Sequence, residues 1–454
     1  MMHKLSAPLI LVTFVFLLLP SCGPSSLKNP PDDACGLIEN ECDLCSEIKG
    51  QSKFVVAVVG DGVDDDKPAM AREYSINRAQ GEAMWKGINL AYQSSKEVRE
   101  IKDVVTIKRF DDGGSGVCAK KIAECIYKNA CVLAVIGHVT SYTTQLGAFY
   151  YEKGRIPLLM PIATSPNVFF PVDESPSVKR NTRNLDEHRF STLFRLPPSD
   201  DAVQAYAMGY VAVEKLHGNR IYVLGDSKDN ALTYSRPIYD KLDQEVLGRF
   251  KFKGEQVQGD NASEIAKNIR RLKPDVLIYA GYWSNLQTTL AALGEEYSKE
   301  KVKPRILLSD GCMSNDLETY GFDVFITFPS PDIFDPSIPE NEELKQLRDL
   351  RQSQERPFSY EIFGYDSLYL LTQAIQRIRS KKNPISRSAV VEELNGTDKE
   401  FKGVAFNYKF VNGENVLSRY YLFDAKTKRF EAISERQLES FKSDIRLNIQ
   451  QKQN

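Results

Sequence analysis

Residues 132–161, "VLAVIGHVTSYTTQLGAFYYEKGRIPLLMP", decide the fold of this chain. Residues 132–137 form a continuous apolar run, which is typical of a β-strand buried on both faces. A hydroxyl-rich turn follows and leads into a predicted helix over 141–153, and a second apolar strand is predicted over 156–161. A strand, a helix and a strand in this order indicate a parallel sheet covered by helices.

The same alternation continues on both sides of this stretch and then starts again after a polar loop at 174–188. Further strands are predicted at 54–60, 104–110, 220–226, 249–257, 275–281, 305–311 and 324–330, and helices at about 79–95, 118–129, 200–216, from Ala231, 263–272, 284–297, 340–353 and 359–380. A β-rich segment at 403–425 contains Asn412-Gly413, a hairpin signal. The 454 residues therefore suit two α/β units better than one core.

The composition is that of an ordinary globular protein, with 42% hydrophobic and 26% charged residues. The 59 basic and 61 acidic residues leave a net charge of −2. Since no excess of either sign is present, we expect no nucleic-acid partner.

The amino-terminal end indicates export. Residues 9–19, "LILVTFVFLLL", follow Lys4 and are too few to span a bilayer but suit the core of a signal peptide. The next residues, "LPSC", resemble a bacterial lipobox, with Pro20 as a departure from it. We therefore predict a lipoprotein signal peptide over 1–22, lipidation at Cys22 and a tether over 23–52. The alternative is an ordinary cleaved signal with a chance cysteine.

The eight cysteines are compatible with disulfides in an exported protein. Cys42 and Cys45 form a CxxC without a second CxxC or a nearby histidine in the sequence, so a local disulfide is favoured over a zinc or redox site, with Cys35 as an alternative partner. Cys118 and Cys125 lie seven residues apart on a predicted helix, about 10 Å apart at 1.5 Å per residue. They are therefore too distant to bridge each other and are expected to be buried.

The hydroxyl-rich turn at 137–145, "GHVTSYTTQ", is the first candidate for a ligand site. In open parallel sheets ligands bind beyond the carboxyl ends of the strands, where helix N-termini present free N–H groups. The turn therefore suits a small anionic group, most naturally a carboxylate. The alternative is that Ser141 only caps the following helix.

Three other predicted strand ends carry polar or aromatic groups: Ala163-Thr164-Ser165, Gly281-Tyr282-Trp283 and Asp310-Gly311. With the turn at 137–145 they would provide a cradle for a carboxylate, an apolar shelf and a counter-charge for an ammonium group. For Asp310, a surface turn before Gly311 is the alternative explanation.

Five segments in order carry a resemblance to a known family: "VLAVIGHVTSYTTQLGAFYYEKGRIPLLMPIATSPNV", "RIYVLGDSKDN", "DVLIYAGYWSN", "ILLSDG" and "FGYDSLYLLTQAIQR". The chain resembles type I periplasmic substrate-binding proteins of the branched-chain amino-acid-binding family over about 53–433. This implies an α/β fold of two doubly wound parallel-sheet lobes joined by three crossovers. Lobe 1 would take 53–193 plus 330–385 and lobe 2 would take 194–329 plus 386–433, and we expect 434–454 to be a polar C-terminal tail.

The resemblance also implies roles for individual residues. Ser141 matches the hydroxyl that holds the ligand carboxylate, Ala163 and Thr164 match contacts to carboxylate and ammonium, and Tyr282 matches an aromatic wall. Asp310 matches an acidic residue, often Glu, that pairs with the ammonium group.

Two features depart from the family pattern. Asn230 stands where many relatives have an aromatic residue over the ligand, and the first loop, 61–80, is longer than usual. Both concern the pocket for the ligand's side chain, so the sequence does not name the ligand.

The function implied by the resemblance is that of an extracytoplasmic, lipid-anchored receptor that delivers an amino acid or similar small molecule to a membrane ABC permease. The alternatives are a ligand sensor of the same fold for a signalling partner, and a structural lipoprotein that has lost its ligand site. We do not expect an enzyme, a metal site or a cofactor, because no GxSxG, phosphate loop or HExxH occurs and His138 is the only histidine beside the candidate turn.

Overall fold

A computed structural model of the chain describes residues 42–46, 48, 54–62, 78–171, 189–198, 203–226, 229–247, 255–257, 261–313, 317–330, 333–334, 338–352, 360–396 and 398–453. Cys22, Cys35 and the loop at 174–188 lie outside these residues. In the described part of the chain no helix is long and apolar enough to cross a membrane.

The first sheet is built from strands that alternate with helices. The strands are β1 (Phe54–Val59), β2 (Val105–Phe110), β3 (Val132–Gly137), β4 (Leu158–Met160) and β5 (Leu193–Arg195), and the helices between them are α1 (Arg78–Ser94), α2 (Lys96–Arg99), α3 (Gly116–Lys128) and α4 (Ser141–Lys153). The strands are parallel in the order β5-β4-β3-β1-β2. Along β1, Val56 and Val58 belong to one apolar cluster, whereas Val55 and Val59 belong to another. The sheet is therefore buried on both faces, as its continuous apolar strands predict.

The second sheet repeats this design. Its helices and strands are α5 (Ala205–Tyr210), β6 (Ile221–Asp226), α6 (Asp229–Lys241), β7 (Glu255–Val257), α7 (Ala262–Leu272), β8 (Val276–Ala280), α8 (Trp283–Glu296), β9 (Arg305–Leu308) and β10 (Val324–Phe328). The strands are parallel in the order β10-β9-β8-β6-β7.

The remaining chain returns to both sheets. Its elements are α9 (Glu342–Gln352), α10 (Tyr360–Ser380), α11 (Arg387–Leu394), β11 (Phe401–Lys402), β12 (Asn407–Tyr408), β13 (Phe410–Val411), β14 (Glu414–Asn415), β15 (Tyr421–Asp424), β16 (Arg429–Ala432) and α12 (Glu435–Gln453). The hairpin β13-β14 extends the first sheet beside β5, and β15-β16 extends the second sheet beside β10. The hairpin turn predicted at Asn412-Gly413 is confirmed, since both residues have the positive φ (51° and 78°) that such a turn requires.

The chain passes between the two sheets three times: after β5, after β10 and between β14 and β15. The expected fold of two doubly wound lobes joined by three crossovers is confirmed. The side-chain amide of Asn415 donates a hydrogen bond to the Leu196 carbonyl (3.0 Å), which joins the third crossover to the first.

Assignment of all of 386–433 to the second lobe is wrong, because β13-β14 pairs with the first sheet. Arg387 likewise donates hydrogen bonds to the carbonyls of Asn129, Val132 and Gly154 in the first lobe. The sequence of a hairpin does not indicate which sheet it will join. The lobe assignment failed because that choice depends on contacts between segments distant in sequence.

Residues 434–454 were expected to be a polar tail, but α12 packs on the second lobe. Leu438, Phe441 and Ile445 are buried in its core, and the ring of Phe441 meets that of Tyr210 edge-on at 5.9 Å. Three apolar residues spaced three and four apart are enough to bury one stripe of an otherwise polar helix.

The expected local disulfide between Cys42 and Cys45 is also wrong. Cys42 is bonded to Cys125 and Cys45 to Cys131, at the end of α3 and the start of β3. Leu44 between them is fully buried, and its N–H donates to the side chain of Asn129 at 3.0 Å. This part of the predicted tether is therefore fastened to the first lobe.

Cys118 agrees with the expectation that it is buried and not bonded to Cys125. Cys118 is buried but also belongs to a disulfide, and it does not bridge Cys125. Cys312 is a free, buried thiol.

A buried carboxylate holds the segment after α11 against α10. Asp366 is fully buried and accepts hydrogen bonds from the Tyr408 hydroxyl (2.7 Å) and the Val404 N–H (2.8 Å). Burial raises the pKa of Asp366 from 3.8 to about 7, although both hydrogen bonds act to lower it. The folded state therefore retains a proton that the unfolded state releases between about pH 4 and 7, so folding stability falls as the pH rises through this interval.

We predict that Asp366→Asn flattens this pH dependence, because the amide cannot ionise. A difference of about three pKa units corresponds to about 4 kcal/mol, so the variant should gain stability relative to the wild type as the pH rises from about 4 to above 7. Urea unfolding at several pH values measures the change, with the exposed Asp398→Asn as the control. Parallel pH curves for wild type and Asp366→Asn would contradict the assignment.

Candidate functional site

Most hydroxyls of the turn after β3 are used to start α4. Thr140 is the N-cap, and its side chain accepts a hydrogen bond from the Thr143 N–H at 3.1 Å. The hydroxyls of Thr143 and Thr144 donate to the Thr140 carbonyl. The capping role considered for Ser141 therefore belongs to Thr140.

Ser141 instead connects two strand ends. Its side-chain oxygen accepts a hydrogen bond from the Ser165 N–H (3.2 Å) in the loop after β4, and it is 2% exposed. This contact brings the predicted residues Ala163 and Thr164 next to the start of α4, and all three are buried. The Thr164 hydroxyl makes no hydrogen bond within the described part of the chain. The first lobe thus gathers its three predicted site residues at the carboxyl ends of β3 and β4.

A buried arginine supports this loop from behind. Arg195, at the end of β5, donates to the Thr164 carbonyl and forms an ion pair with Glu414 (2.5 Å), which also pairs with Arg189 (2.9 Å). Burial alone would raise the pKa of Glu414, but the charges and hydrogen bonds of Arg195 and Arg189 outweigh it and lower that pKa. Arg195 is fully buried, so removing Glu414 would leave a buried charge uncompensated.

In the second lobe, Asp310 follows β9 and is 3% exposed. Its Oδ1 accepts hydrogen bonds from the Tyr234 hydroxyl (2.6 Å) and from Nε2 of Gln204 (2.8 Å). Burial raises the pKa of Asp310 to about 6, and the two hydrogen bonds limit the rise. Asp310 is therefore not the exposed turn residue that was considered as an alternative.

The predicted aromatic wall consists of two rings. Tyr282, at the N-cap of α8, stacks on Tyr234 with a centroid distance of 5.0 Å and an interplanar angle of 24°. The Gly311 N–H donates to the Tyr234 hydroxyl at 2.9 Å. The rings and the carboxylate of Asp310 therefore form one rigid group.

Asn230 lies in the first turn of α6, but its side chain is outside the described part of the structure. Sequence reasoning missed Tyr234 and Gln204. Tyr234 comes one helical turn after Asn230, so an aromatic at that spacing was the available signal. Gln204 has no comparable signal, because it precedes α5, far from Asp310 in sequence.

Asp226, at the end of β6, is a second buried carboxylate of this lobe. It accepts hydrogen bonds from the side-chain amide of Asn285 (2.6 Å) and the hydroxyl of Tyr279 (3.1 Å). These contacts fix the start of α8 and hence the position of Tyr282.

His138 is held by partners on both ring nitrogens. Nδ1 lies 2.6 Å from the Asp112 carboxylate and Nε2 lies 2.9 Å from the Tyr151 hydroxyl. The ring is fully buried, so this histidine packs β3 against α4 and is not offered to a ligand.

The two sets of residues lie at the carboxyl ends of strands in the two sheets, and α4 of the first lobe contacts α6 of the second. Hydroxyls and a helix N-terminus on one side and a carboxylate with two rings on the other can hold a small zwitterion. Two buried polar atoms of the second lobe, Gln204 Oε1 and Trp283 Nε1, have no hydrogen-bond partner among the described residues.

Comparison with known proteins agrees with this fold. A family model described as periplasmic binding protein matches residues 75–429. A protein of Pseudomonas aeruginosa named "Amino acid binding protein" is 23% identical over 345 residues, which cover 72% of this chain and 81% of that protein.

Solved structures share the fold at low identity. A leucine-binding protein from Thermotoga maritima superposes with a TM-score of 0.64 and 19% identity, covering 84% of this chain and 98% of that one. A branched-chain amino acid substrate-binding protein from Streptococcus pneumoniae, in complex with isoleucine, has a TM-score of 0.61 and 16% identity over 84% and 99% of the two chains. A solute-binding protein from Rhodopseudomonas palustris, in complex with benzoate, has a TM-score of 0.62 and 13% identity over 84% and 96%.

We predict that Arg195→Met destabilises the protein by about 3 kcal/mol or more, because it leaves the Glu414 charge and the Thr164 carbonyl without their buried partner. Adding Glu414→Gln should recover part of the loss, because the uncompensated charge is then removed. The free energy of unfolding in urea measures both effects.

The matched control is Arg236→Met, which removes an exposed ion pair with Asp240 and should cost less than about 1 kcal/mol. Equal losses for Arg195→Met and the control would show that the buried pair does not hold the loop.

Proposed function

Because this chain belongs to the periplasmic binding protein family, we propose that it captures an amino acid or a similar small molecule between its two lobes and delivers it to a membrane ABC transporter. The family consists of solute-binding proteins that act outside the cytoplasm, so we infer binding and not catalysis. The relatives named above for leucine, isoleucine or benzoate show that the fold accepts different small acids, and their ligands are not assigned to this chain.

The observation that carries the proposal is the buried carboxylate of Asp310, whose pKa is raised to about 6 by burial and which is hydrogen-bonded to Tyr234 of α6, the helix that contacts α4. An ionised carboxylate removed from water requires a cation or strong donors, and an ammonium group supplies both. The thirteen-residue helix α4 presents its N-terminus and Ser141 and Thr164 present hydroxyls, which suits the carboxylate of the same molecule.

In this arrangement the ligand completes both halves of the site. Its ammonium group would stabilise ionised Asp310 and its carboxylate would accept hydrogen bonds from the first lobe. Since each lobe supplies only one half of the contacts, the ligand binds more tightly when the lobes are closed, and it therefore shifts the population towards that state.

We propose further that the protein is exported and anchored by a lipid on Cys22. The support is the sequence of the leader, because residues 1–41 lie outside the described structure. The disulfides of Cys42 and Cys45 would then connect such an anchor to the first lobe and leave the second lobe free to close.

The binding proposal predicts that Asp310→Ala weakens amino-acid binding more than Ser141→Ala does. Losing Asp310 leaves a buried ammonium without its partner, which costs about 2–5 kcal/mol, and about 1.4 kcal/mol is a factor of ten in affinity. Losing Ser141 removes one neutral hydroxyl while the N–H groups of α4 remain. Thermal-shift screening of the standard L-amino acids identifies the strongest binder, and calorimetry then compares both variants with the wild type.

The pH supplies an independent check. Affinity for this amino acid should fall below about pH 6 in the wild type, because protonation removes the charge of Asp310, and Asp310→Asn should abolish that dependence. The proposed grip is wrong if no amino acid raises the melting temperature or if Asp310→Ala binds like the wild type.

The anchoring proposal predicts that the wild type, expressed with its leader in a bacterium, partitions into the detergent phase. Cys22→Ala should move it to the aqueous phase, because the acylated residue is lost. Cys312→Ala, which changes a buried cysteine of the second lobe, is the control and should still partition into detergent. Unchanged partitioning of Cys22→Ala would refute lipidation.

A further inference from the structure

Gln204 lies at the same end of the second sheet as Asp310. It directly precedes α5, is fully buried, and contacts both Asp310, two residues after β9, and Thr327 of β10. Its Nε2 is 2.8 Å from Asp310 Oδ1 and 3.2 Å from Thr327 Oγ1. The amide is therefore fixed at the wall that carries the candidate counter-charge.

The neighbours of Gln204 determine which way its amide points. The carboxylate of Asp310 and the carbonyl of Thr327 (3.5 Å) are both acceptors, so the NH₂ group must face them. Turning the amide over would place Oε1 against those two oxygens. Oε1 consequently points away from Thr327 and Asp310, although it remains within a few ångströms of the carboxylate.

Oε1 is buried and has no hydrogen-bond donor among the described residues. A buried carbonyl oxygen without a partner lowers stability, and such atoms are rare in folded proteins. An unpartnered acceptor beside a buried carboxylate requires an explanation, and a donor on a bound molecule supplies one.

We propose that Gln204 Oε1 accepts a hydrogen bond from the ligand's nitrogen, next to Asp310, so that the ligand carries a primary ammonium group. This inference rests on the proposed function and narrows its ligand class. A primary ammonium group has three N–H donors, so it can serve Asp310, Gln204 and one group of the first lobe together.

The two neighbouring acceptors, Asp310 and Gln204 Oε1, also disfavour the binding of acids that lack an amine. A hydroxyl group could satisfy one of the two acceptors but not both, and a carboxylate would place its own lone pairs against them. The second lobe should therefore reject α-hydroxy acids and benzoate-like acids in favour of amines.

Among its amine probes, the test varies the number of N–H donors at constant charge. The probes are the strongest L-amino acid of the thermal-shift screen, its N-methyl and N,N-dimethyl derivatives and its α-hydroxy acid, titrated by calorimetry. The N-methyl derivative keeps two N–H donors and the N,N-dimethyl derivative keeps one. In the wild type we expect about a tenfold or greater loss between these two, because one of the two acceptors then lacks a donor.

Gln204→Met removes the acceptor at nearly the same volume, so the loss between the N-methyl and N,N-dimethyl derivatives should shrink to below about threefold. In Gln204→Glu the carboxyl group must be protonated to donate to Asp310 in place of the amide; its other oxygen is then still an acceptor, so this variant should retain the discrimination. The control is Gln373→Met, a half-buried glutamine of α10 whose amide bonds to the backbone of Lys402, away from Asp310, and it should behave like the wild type. Melting curves without ligand show whether each variant folds.

The outcomes distinguish a failure of the Gln204 contact from a failure of the proposed function. If the amino acid binds but the wild type discriminates the two derivatives by less than about threefold, or Gln204→Met discriminates like the wild type, the contact to Gln204 is overturned and the proposed function stands. If Gln204→Met does not fold, the wild-type series and Gln204→Glu still decide. If only amine-free acids bind, or no probe binds, the proposed function fails together with this inference.

Discussion

Buried polar groups at the carboxyl ends of two parallel sheets must find partners without water, and the rest of the structure depends on this requirement. Strands buried on both faces end at these edges, so the polar residues that follow them leave the solvent as well. In the first lobe, Arg195 meets Glu414 and the Thr164 carbonyl. In the second, Asp310 meets Tyr234 and Gln204. These groups are therefore paired within their own lobe.

The pairing of buried polar groups also involves the crossovers between the lobes. Glu414 and Asn415 belong to the short strand β14, which lies between the first sheet and the third crossover. Glu414 forms an ion pair with Arg195 behind the candidate site. Asn415 donates a hydrogen bond to the Leu196 carbonyl of the first crossover. One two-residue strand thus connects the ligand-facing edge to the segments about which the lobes would move. A change of lobe angle that disturbed β14 would also disturb the support of the Thr164 loop.

The sequence predicts what is periodic or local and fails where distant segments meet. Buried strands, the helix at 141–153 and the turn at Asn412-Gly413 follow from apolar runs and turn chemistry, and the structure has them. The bridges from Cys42 to Cys125 and from Cys45 to Cys131 join residues more than eighty apart, and no spacing rule predicts such pairs. The sequence does not predict Gln204 for the same reason, because its hydrogen bond to Asp310 joins two residues that are far apart in the chain. The resemblance to a family indicated Ser141, Ala163, Thr164, Tyr282 and Asp310. The structure places each of them after the carboxyl end of a strand, and their contacts with a ligand stay a prediction.

Ligand choice in this fold must come from side chains, because the backbone is shared by proteins solved with isoleucine and with benzoate. A helix N-terminus binds either carboxylate equally well and so cannot separate an amino acid from an aromatic acid. Discrimination between two ligands requires buried groups that the wrong ligand leaves without a hydrogen bond. Such an unpaired acceptor costs more binding free energy than a good contact contributes. In the proposed site, Asp310 would be such a group for charge and Gln204 Oε1 for the number of donors. Tyr234 stacks on Tyr282 and donates a hydrogen bond to Asp310, so the two rings hold the carboxylate in place. Recognition of the amine would then depend on polar groups that are distinct from the rings beside them.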